Sequence, residues 1–274
     1  DHRDLHSFPT RRSSDLAYVD HVHCLGAVYD AYLLERRENY RFQAEGYLAR
    51  MDTSHDLFIL ENPNNPTGQA LSLADLEEIA ARAAALKTIL VVDEAYGDYL
   101  DLSCSALNLL ADYANLVVIR SFSKGFGMAG LRLGYAAANT AGAILPQLAK
   151  IALSFNCNAL GRLLAKALLE SGADLIRRED VIANKQQLLA GLTRLKAAAT
   201  ADSTPILTLY HDTPDQAFDL QRHLLETVGL QTVSCANSMG LDSRAVRLML
   251  PKSARMEQLL QMLEAAEALL PTAK

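Results

Sequence analysis

Leu57-Phe58-Ile59-Leu60 runs almost directly into Asn62-Pro63-Asn64-Asn65-Pro66-Thr67-Gly68, and an amphipathic stretch over 72–86 then leads to Thr88-Ile89-Leu90-Val91-Val92. Two short apolar runs separated by a helical pattern predict a strand-helix-strand crossover, the unit from which parallel sheets are built. Ser72 followed three residues on by Asp75 predicts the helix start, because a hydroxyl and a short acid satisfy the free N–H groups of a first turn. Leu116-Val117-Val118-Ile119 and Leu133-Gly134-Tyr135-Ala136-Ala137 are further runs apolar at odd and even positions alike. That pattern predicts central strands covered by helices on both faces. After about Asn156 the chain turns to Leu/Ala-rich helices, a strand at Ile206-Leu207-Thr208-Leu209-Tyr210, a helix from about Asp215, a strand at Ala245-Val246-Arg247-Leu248-Met249 and a final helix over 253–269. The expectation is an α/β protein. A large α/β/α domain with a mostly parallel central sheet would occupy 17–170, and a smaller C-terminal α+β domain 171–274.

With 274 residues, half of them hydrophobic, the chain has material for a sizeable core. Its formal charge of -6 argues against nucleic acid or a membrane surface as partner, since both reward clustered Lys and Arg. No run approaches the roughly 20 apolar residues that span a bilayer, and the start lacks the layout of a secretion signal. A cytoplasmic protein handling small molecules is expected. Cys24, Cys104, Cys157 and Cys235 are too dispersed for a disulfide framework or a zinc site and read as reduced and structural, with no metal.

Three motifs follow three predicted strands. Asn62 to Gly68 is, by composition, a tight loop. Asp93-Glu94-Ala95-Tyr96 ends the next strand, where open α/β sheets place ligand-contacting side chains. Ser121-Phe122-Ser123-Lys124-Gly125 ends the third, with Arg132 eight residues beyond Lys124. Two hydroxyls, a fixed cation and the N–H groups of a glycine-bearing turn suit a phosphate dianion, and a lysine among them can condense with a carbonyl cofactor. Gly125-Phe126-Gly127-Met128-Ala129-Gly130 has the spacing of a dinucleotide fingerprint but precedes a strand rather than opening a helix, and no acid follows about 20 positions on. Arg247 lies on a late strand, ordinarily a surface or salt-bridge position.

Together these motifs resemble the class I/II aminotransferases of the pyridoxal-phosphate fold-type-I family, especially the branch with histidinol-phosphate aminotransferase and threonine-phosphate decarboxylase. The resemblance runs from Ala17 to the end, with the motifs in family order. It implies pyridoxal 5'-phosphate as cofactor. Asn65 and Tyr96 would hydrogen-bond its phenolic oxygen, Asp93 would pair with its pyridine nitrogen, and Ser121, Ser123 and Arg132 would hold its phosphate. Lys124 would form the internal imine, and Arg247, with Asn65 beside it, would bind the substrate carboxylate. Implied as catalytic are Lys124, Asp93 and Tyr96, in a homodimeric enzyme moving an amino group between an amino acid and a 2-oxo acid. A decarboxylase on the same scaffold is the nearest alternative, and a non-catalytic regulatory domain a further one.

The sequence also departs from the family. His6-Ser7-Phe8-Pro9-Thr10-Arg11-Arg12-Ser13-Ser14-Asp15-Leu16 resembles one reading frame of a common DNA-sequencing adapter, so 1–16 is expected to be a non-native tail, with authentic sequence from near Ala17 and its true N-terminal portion missing. In this branch a Pro-x-Tyr-x-x-Tyr segment supplies a ring that stacks on the cofactor. Tyr18 matches its second tyrosine, which puts Asp15 at the stacking position. Ser234-Cys235-Ala236-Asn237 is similar to the decarboxylase side of the branch and Phe155-Asn156-Cys157-Asn158 to the histidinol-phosphate side. An arginine that helps many relatives recognise a substrate phosphate is absent near Val233.

Overall fold

The structure, a computed structural model, describes residues 18, 22–152, 156–172, 175–236, 238 and 240–269. The adapter-like stretch, Asp15, Phe155 and Asn237 lie outside the described residues. The helices are α1 (Ala44–Arg50), α2 (Leu73–Ala85), α3 (Ile144–Ile151), α4 (Ala159–Ser171), α5 (Arg178–Gly191), α6 (Pro214–Val228) and α7 (Met256–Leu269). The strands are β1 (Leu57–Glu61), β2 (Ile89–Glu94), β3 (Leu116–Ser121), β4 (Gly134–Ala138), β5 (Lys196–Ala197), β6 (Ile206–Tyr210), β7 (Val233–Ser234) and β8 (Ala245–Met249).

A first sheet has the order β1-β2-β3-β4 and a second the order β5-β6-β8-β7. In the first, β1, β2 and β3 are parallel, with Glu61 opposite Asp93 and Asp93 opposite Ile119. The α/β expectation holds, and parallel pairing has a direct consequence. All three strands end at one edge, so the three motif loops emerge side by side. The crossover helix α2 starts as its sequence dictates: Asp75 N donates to Ser72 Oγ at 3.1 Å while Ser72 N donates back to Asp75 Oδ2 at 3.4 Å. Leu76, Ile79, Ala80 and Ala83 recur on one face of α2 and are buried against Leu60, Leu90, Val92, Leu116 and Val118. Each such large side chain removed from water contributes about 1.5–3 kcal/mol.

The fourth strand corrects the sequence reading. It begins one residue later than expected, runs antiparallel to β3, and leaves Gly134, Tyr135 and Ala136 exposed rather than covered on both faces. Its place at the sheet edge explains this, because among the described residues β4 pairs with β3 alone. Apolar composition reports suitability for burial and not the presence of a covering layer. Leu57 shows the same at the other edge, where β1 leaves it exposed.

The second sheet is wholly antiparallel. Leu207, Leu209 and Leu248 meet Leu188 of α5, Leu220 and Leu224 of α6, and Met256, Leu259 and Leu263 of α7. Thr208 stands opposite Arg247 in the ladder. The final helix is split into a single turn at Ser253–Arg255 and α7. Cys24, Cys104, Cys157 and Cys235 form no disulfide. No helix among the described residues is long and apolar enough to cross a membrane.

Lys185 of α5 is fully buried, and burial pushes its amine down to about 7, with Asp202 opposing the shift. Between that value and the ordinary lysine pKa of 10.5 the unfolded chain holds a proton that the folded chain has shed. Stability therefore rises with pH across this window and is lost as pH falls back toward 7. Urea midpoints measured from pH 7 to pH 10 should climb for the wild type, and Lys185→Met should flatten that climb.

Candidate active site

Backbone chemistry fixes the first loop tightly. Asn62 N donates to the Asp93 carbonyl at 2.9 Å, and the Asn62 side-chain oxygen accepts from Leu71 N at 2.8 Å, so the chain leaves β1 and returns under control. The Asn62-Pro63 peptide is cis, and Gly68 has φ +80°. Gly68 N closes the turn onto the Asn64 carbonyl at 2.8 Å. Thr208 of β6 donates to the Pro66 carbonyl at 2.5 Å, which ties the loop to the second sheet. Asn65 is thereby held in a buried position, 6% exposed. What composition describes as a turn is also a buried, fixed segment tied to both sheets.

Asp93 closes β2 and is 8% exposed. Its Oδ1 accepts from Ala95 N at 2.8 Å, and its Oδ2 accepts from the Tyr18 hydroxyl. Burial pushes the Tyr18 phenol well above its ordinary range, and the carboxylates of Asp93 and Glu61 reinforce the shift. A phenol held so firmly in its protonated form is a dependable donor to the Asp93 carboxylate. Lys124 Nζ stands 5.1 Å over the ring of Tyr96, an arrangement favoured by the ring's electron-rich face. The Tyr99 hydroxyl donates to the Lys124 carbonyl at 3.5 Å.

In the third loop, Ser121 Oγ accepts from Ser123 N at 3.1 Å, and Phe122 packs with Leu133 and Ala165 to anchor the turn. Arg132 adopts a left-handed conformation, φ 50°, and donates to the Ala129 carbonyl at 3.0 Å. No hydrogen bond or ion pair joins Arg132 to Ser121 or Ser123, or Lys124 to Asp93, among the described residues. On the second sheet, Arg247 Nη1 donates to Asn65 Oδ1 at 2.5 Å, while its Nε is buried with no hydrogen-bond partner. The structure thus brings together Tyr96 with Lys124, Ser121 with Ser123, and Asn65 with Arg247.

A buried ion pair behind the loops escaped the sequence reading. Arg120 Nε donates to Glu94 Oε2 at 2.8 Å, Nη1 to Asp98 Oδ1 at 3.0 Å and Nη2 to Ser105 Oγ at 3.0 Å. Glu94 also accepts from Ser105 Oγ and Ala106 N. This network joins the ends of β2 and β3 just before Tyr96 and Lys124. Its sequence signal was the presence of two opposite charges inside otherwise apolar strands. Asp98, whose carboxyl is raised by burial against the pull of Arg120, packs on Gly125, where a Cβ would lie 2.6 Å from its own. A separate cavity of about 920 Å³ is lined by Tyr18, Tyr32, Tyr47, Phe58, Glu61 and Asn64 among others. It borders Tyr18 and the first loop but includes neither Lys124 nor Arg247.

The α/β scaffold ends three neighbouring strands in an amide-bearing loop, a buried acid and a lysine-bearing turn, and an arginine of the second sheet reaches the first of these loops. The chain belongs to the class I and II aminotransferase family, whose model matches residues 17–263. It is 36% identical over 151 residues to the aromatic amino acid aminotransferase of Rhodococcus opacus (strain B4), covering 55% of this chain and 41% of that protein. It is also 36% identical over 168 residues to the histidinol-phosphate aminotransferase of Thermobifida fusca (strain YX), covering 61% and 44%. The match thus spans less than half the length of these curated relatives. The crystal structure of the histidinol-phosphate aminotransferase from Clostridium acetobutylicum shares the fold, with a TM-score of 0.79 at 21% identity over 92% of this chain and 75% of that one. The family resemblance read from the motifs is therefore borne out.

The cofactor of this family is pyridoxal 5'-phosphate, and the residues present fit it. Among the described residues neither Lys124 nor Arg132 has a carboxylate partner, so neither cation is neutralised by an acid of the chain. Asp93 offers a buried carboxylate, and the buried Nε of Arg247 lacks the acceptor that a bound carboxylate would supply.

Proposed function

We propose that this protein is a pyridoxal-phosphate-dependent aminotransferase that moves an amino group between an amino acid and a 2-oxo acid, working as a cytoplasmic homodimer. The large cofactor-binding portion would be 17–170 and the small portion 171–274. The observation that carries this reading is the pairing of Lys124 over Tyr96 at the strand ends with Arg247 reaching Asn65 from the second sheet. On this reading Lys124 would supply the amine and Arg247 the carboxylate receptor of one site.

When bound, the cofactor supplies an aldehyde that exchanges amines and a ring that accepts an electron pair from the substrate α-carbon. The chain supplies position and protons. Ser121, Ser123 and Arg132 would bind the phosphate. Asp93 would hold the proton on the ring nitrogen, while Asn65 and Tyr96 would donate to the phenolic oxygen. Arg247 binds the substrate carboxylate through a planar guanidinium, a contact lysine reproduces poorly. Lys124 would take the proton from the substrate α-carbon and deliver it to the cofactor carbon that carries the amino group, general acid-base catalysis at short range.

Relatives named for aromatic amino acids and histidinol phosphate make ring-bearing donors the first to test. The chain, incubated with cofactor, 2-oxoglutarate and such donors, should form glutamate. Carbon dioxide without glutamate would replace this reading with decarboxylation, and neither product would remove it.

A further inference from the structure

Lys185 takes no part in the chemistry above, yet its surroundings connect it to the site. Its Nζ donates to Thr200 Oγ1 at 2.8 Å, to the Thr204 carbonyl at 3.0 Å and to the Ile206 carbonyl. An ammonium has three donors for these three oxygens, and the neutral amine keeps two donors for the carbonyls and a lone pair that can accept from the Thr200 hydroxyl, so either form is used completely. They fasten the turn before β6 to that strand's first residue.

The same turn is the seat of the Asn62 to Gly68 loop. A Cβ on Gly68 would lie 2.7 Å from the Ile206 carbonyl oxygen, 2.7 Å from Thr200 Oγ1 and 2.8 Å from Thr204 Oγ1. The Gly68 carbonyl accepts from Thr204 Oγ1 at 2.8 Å and from Ala201 N at 3.0 Å. Two residues along β6 from Ile206, Thr208 donates to Pro66 and stands opposite Arg247 in the ladder. Arg247 in turn donates to Asn65. One buried amine therefore lies behind both halves of the proposed carboxylate site.

Filling this position with an amine is costly. Removing an ammonium from water carries a penalty of several kcal/mol, and no carboxylate touches Nζ among the described residues. Methionine would fill similar volume without that penalty. What lysine adds is direction: three polar contacts from one amine that fix where the turn and the strand sit relative to each other. Packing alone specifies such a spacing less sharply than a satisfied polar cluster does.

We propose that Lys185 is a positioning residue which, by gripping Thr200, Thr204 and Ile206, sets the spacing between the Asn65 loop and the Arg247 strand and so the affinity for the substrate carboxylate. This assignment rests on the aminotransferase reading. The test is Lys185→Met in the cofactor-loaded chain, with KM and kcat for the amino donor and the Kd of 2-oxoglutarate by calorimetry. KM and Kd should rise about 10-fold, equivalent to about 1.4 kcal/mol, while kcat stays within about 3-fold, because uniform binding and not the chemical step is altered. A folded variant with unchanged KM and Kd, or with kcat alone reduced, overturns the assignment. Should Lys185→Met fail to fold, Thr200→Val decides. It deletes the hydroxyl that Lys185 Nζ contacts yet keeps the branched shape, and it should raise both constants in the same direction; no rise overturns the proposal. A wild type that binds 2-oxoglutarate but forms no glutamate counts against the aminotransferase reading, while the Kd comparison still judges Lys185.

Discussion

Lys124→Ala should reduce turnover to background and abolish the yellow colour of the cofactor-loaded chain. The amine is asked to do two things that no neighbouring group can do. It must bond to the cofactor's carbonyl carbon, and it must carry the α-proton during the exchange. Its place over Tyr96, with no acid partner among the described residues, leaves it free for both. Lys124→Arg separates charge from nucleophilicity, since a guanidinium keeps the cation yet stays protonated, with a pKa above about 12. Arginine should be as inactive as alanine, measured by glutamate release and visible absorbance. Retained activity in either variant would assign the chemistry elsewhere.

Asp93→Asn should lower kcat on the order of 10²–10³-fold, the scale of removing one preorganised electrostatic contact in a water-poor site. Asparagine keeps the size of the side chain and an acceptor oxygen for Ala95 N, while its amide NH2 can donate to the Tyr18 oxygen in place of the bond the carboxylate accepted there, so the local fold should survive. What disappears is the negative charge that keeps the ring nitrogen protonated, and with it the ring's capacity to accept electrons. Steady-state kinetics with one amino donor check this. The KM should change far less than kcat, because the proposed partner of Asp93 is the cofactor ring and not the substrate carboxylate.

Much of this was readable in the residues, for identifiable reasons. The apolar runs that became β1, β2 and β3 and the Ser72/Asp75 start of α2 depend on local periodicity and on bonds spanning three residues. Such features are written within a short window of sequence. The parallel crossover then placed three distant motifs at one edge, so their adjacency followed from topology. Contacts made across long separations were not readable. Arg247 meeting Asn65, Thr208 holding Pro66 and Tyr18 donating to Asp93 depend on how the second sheet and the first segment come to rest. Lys185 gave no local sign of burial, since its neighbours Asn184 and Gln186 are polar. The exposure of β4 was missed because periodicity reports which strands would tolerate cover, not which receive it. The two-residue strands β5 and β7 are too short to leave a pattern of their own.

The most direct measurement is chemical trapping. The chain is mixed with pyridoxal 5'-phosphate, reduced with borohydride to make any lysine linkage permanent, digested, and the peptides weighed by mass spectrometry. The account predicts a single phosphopyridoxyl adduct, on the peptide containing Lys124. An adduct confined to another lysine, or none at all under conditions where the chain is folded, would contradict it.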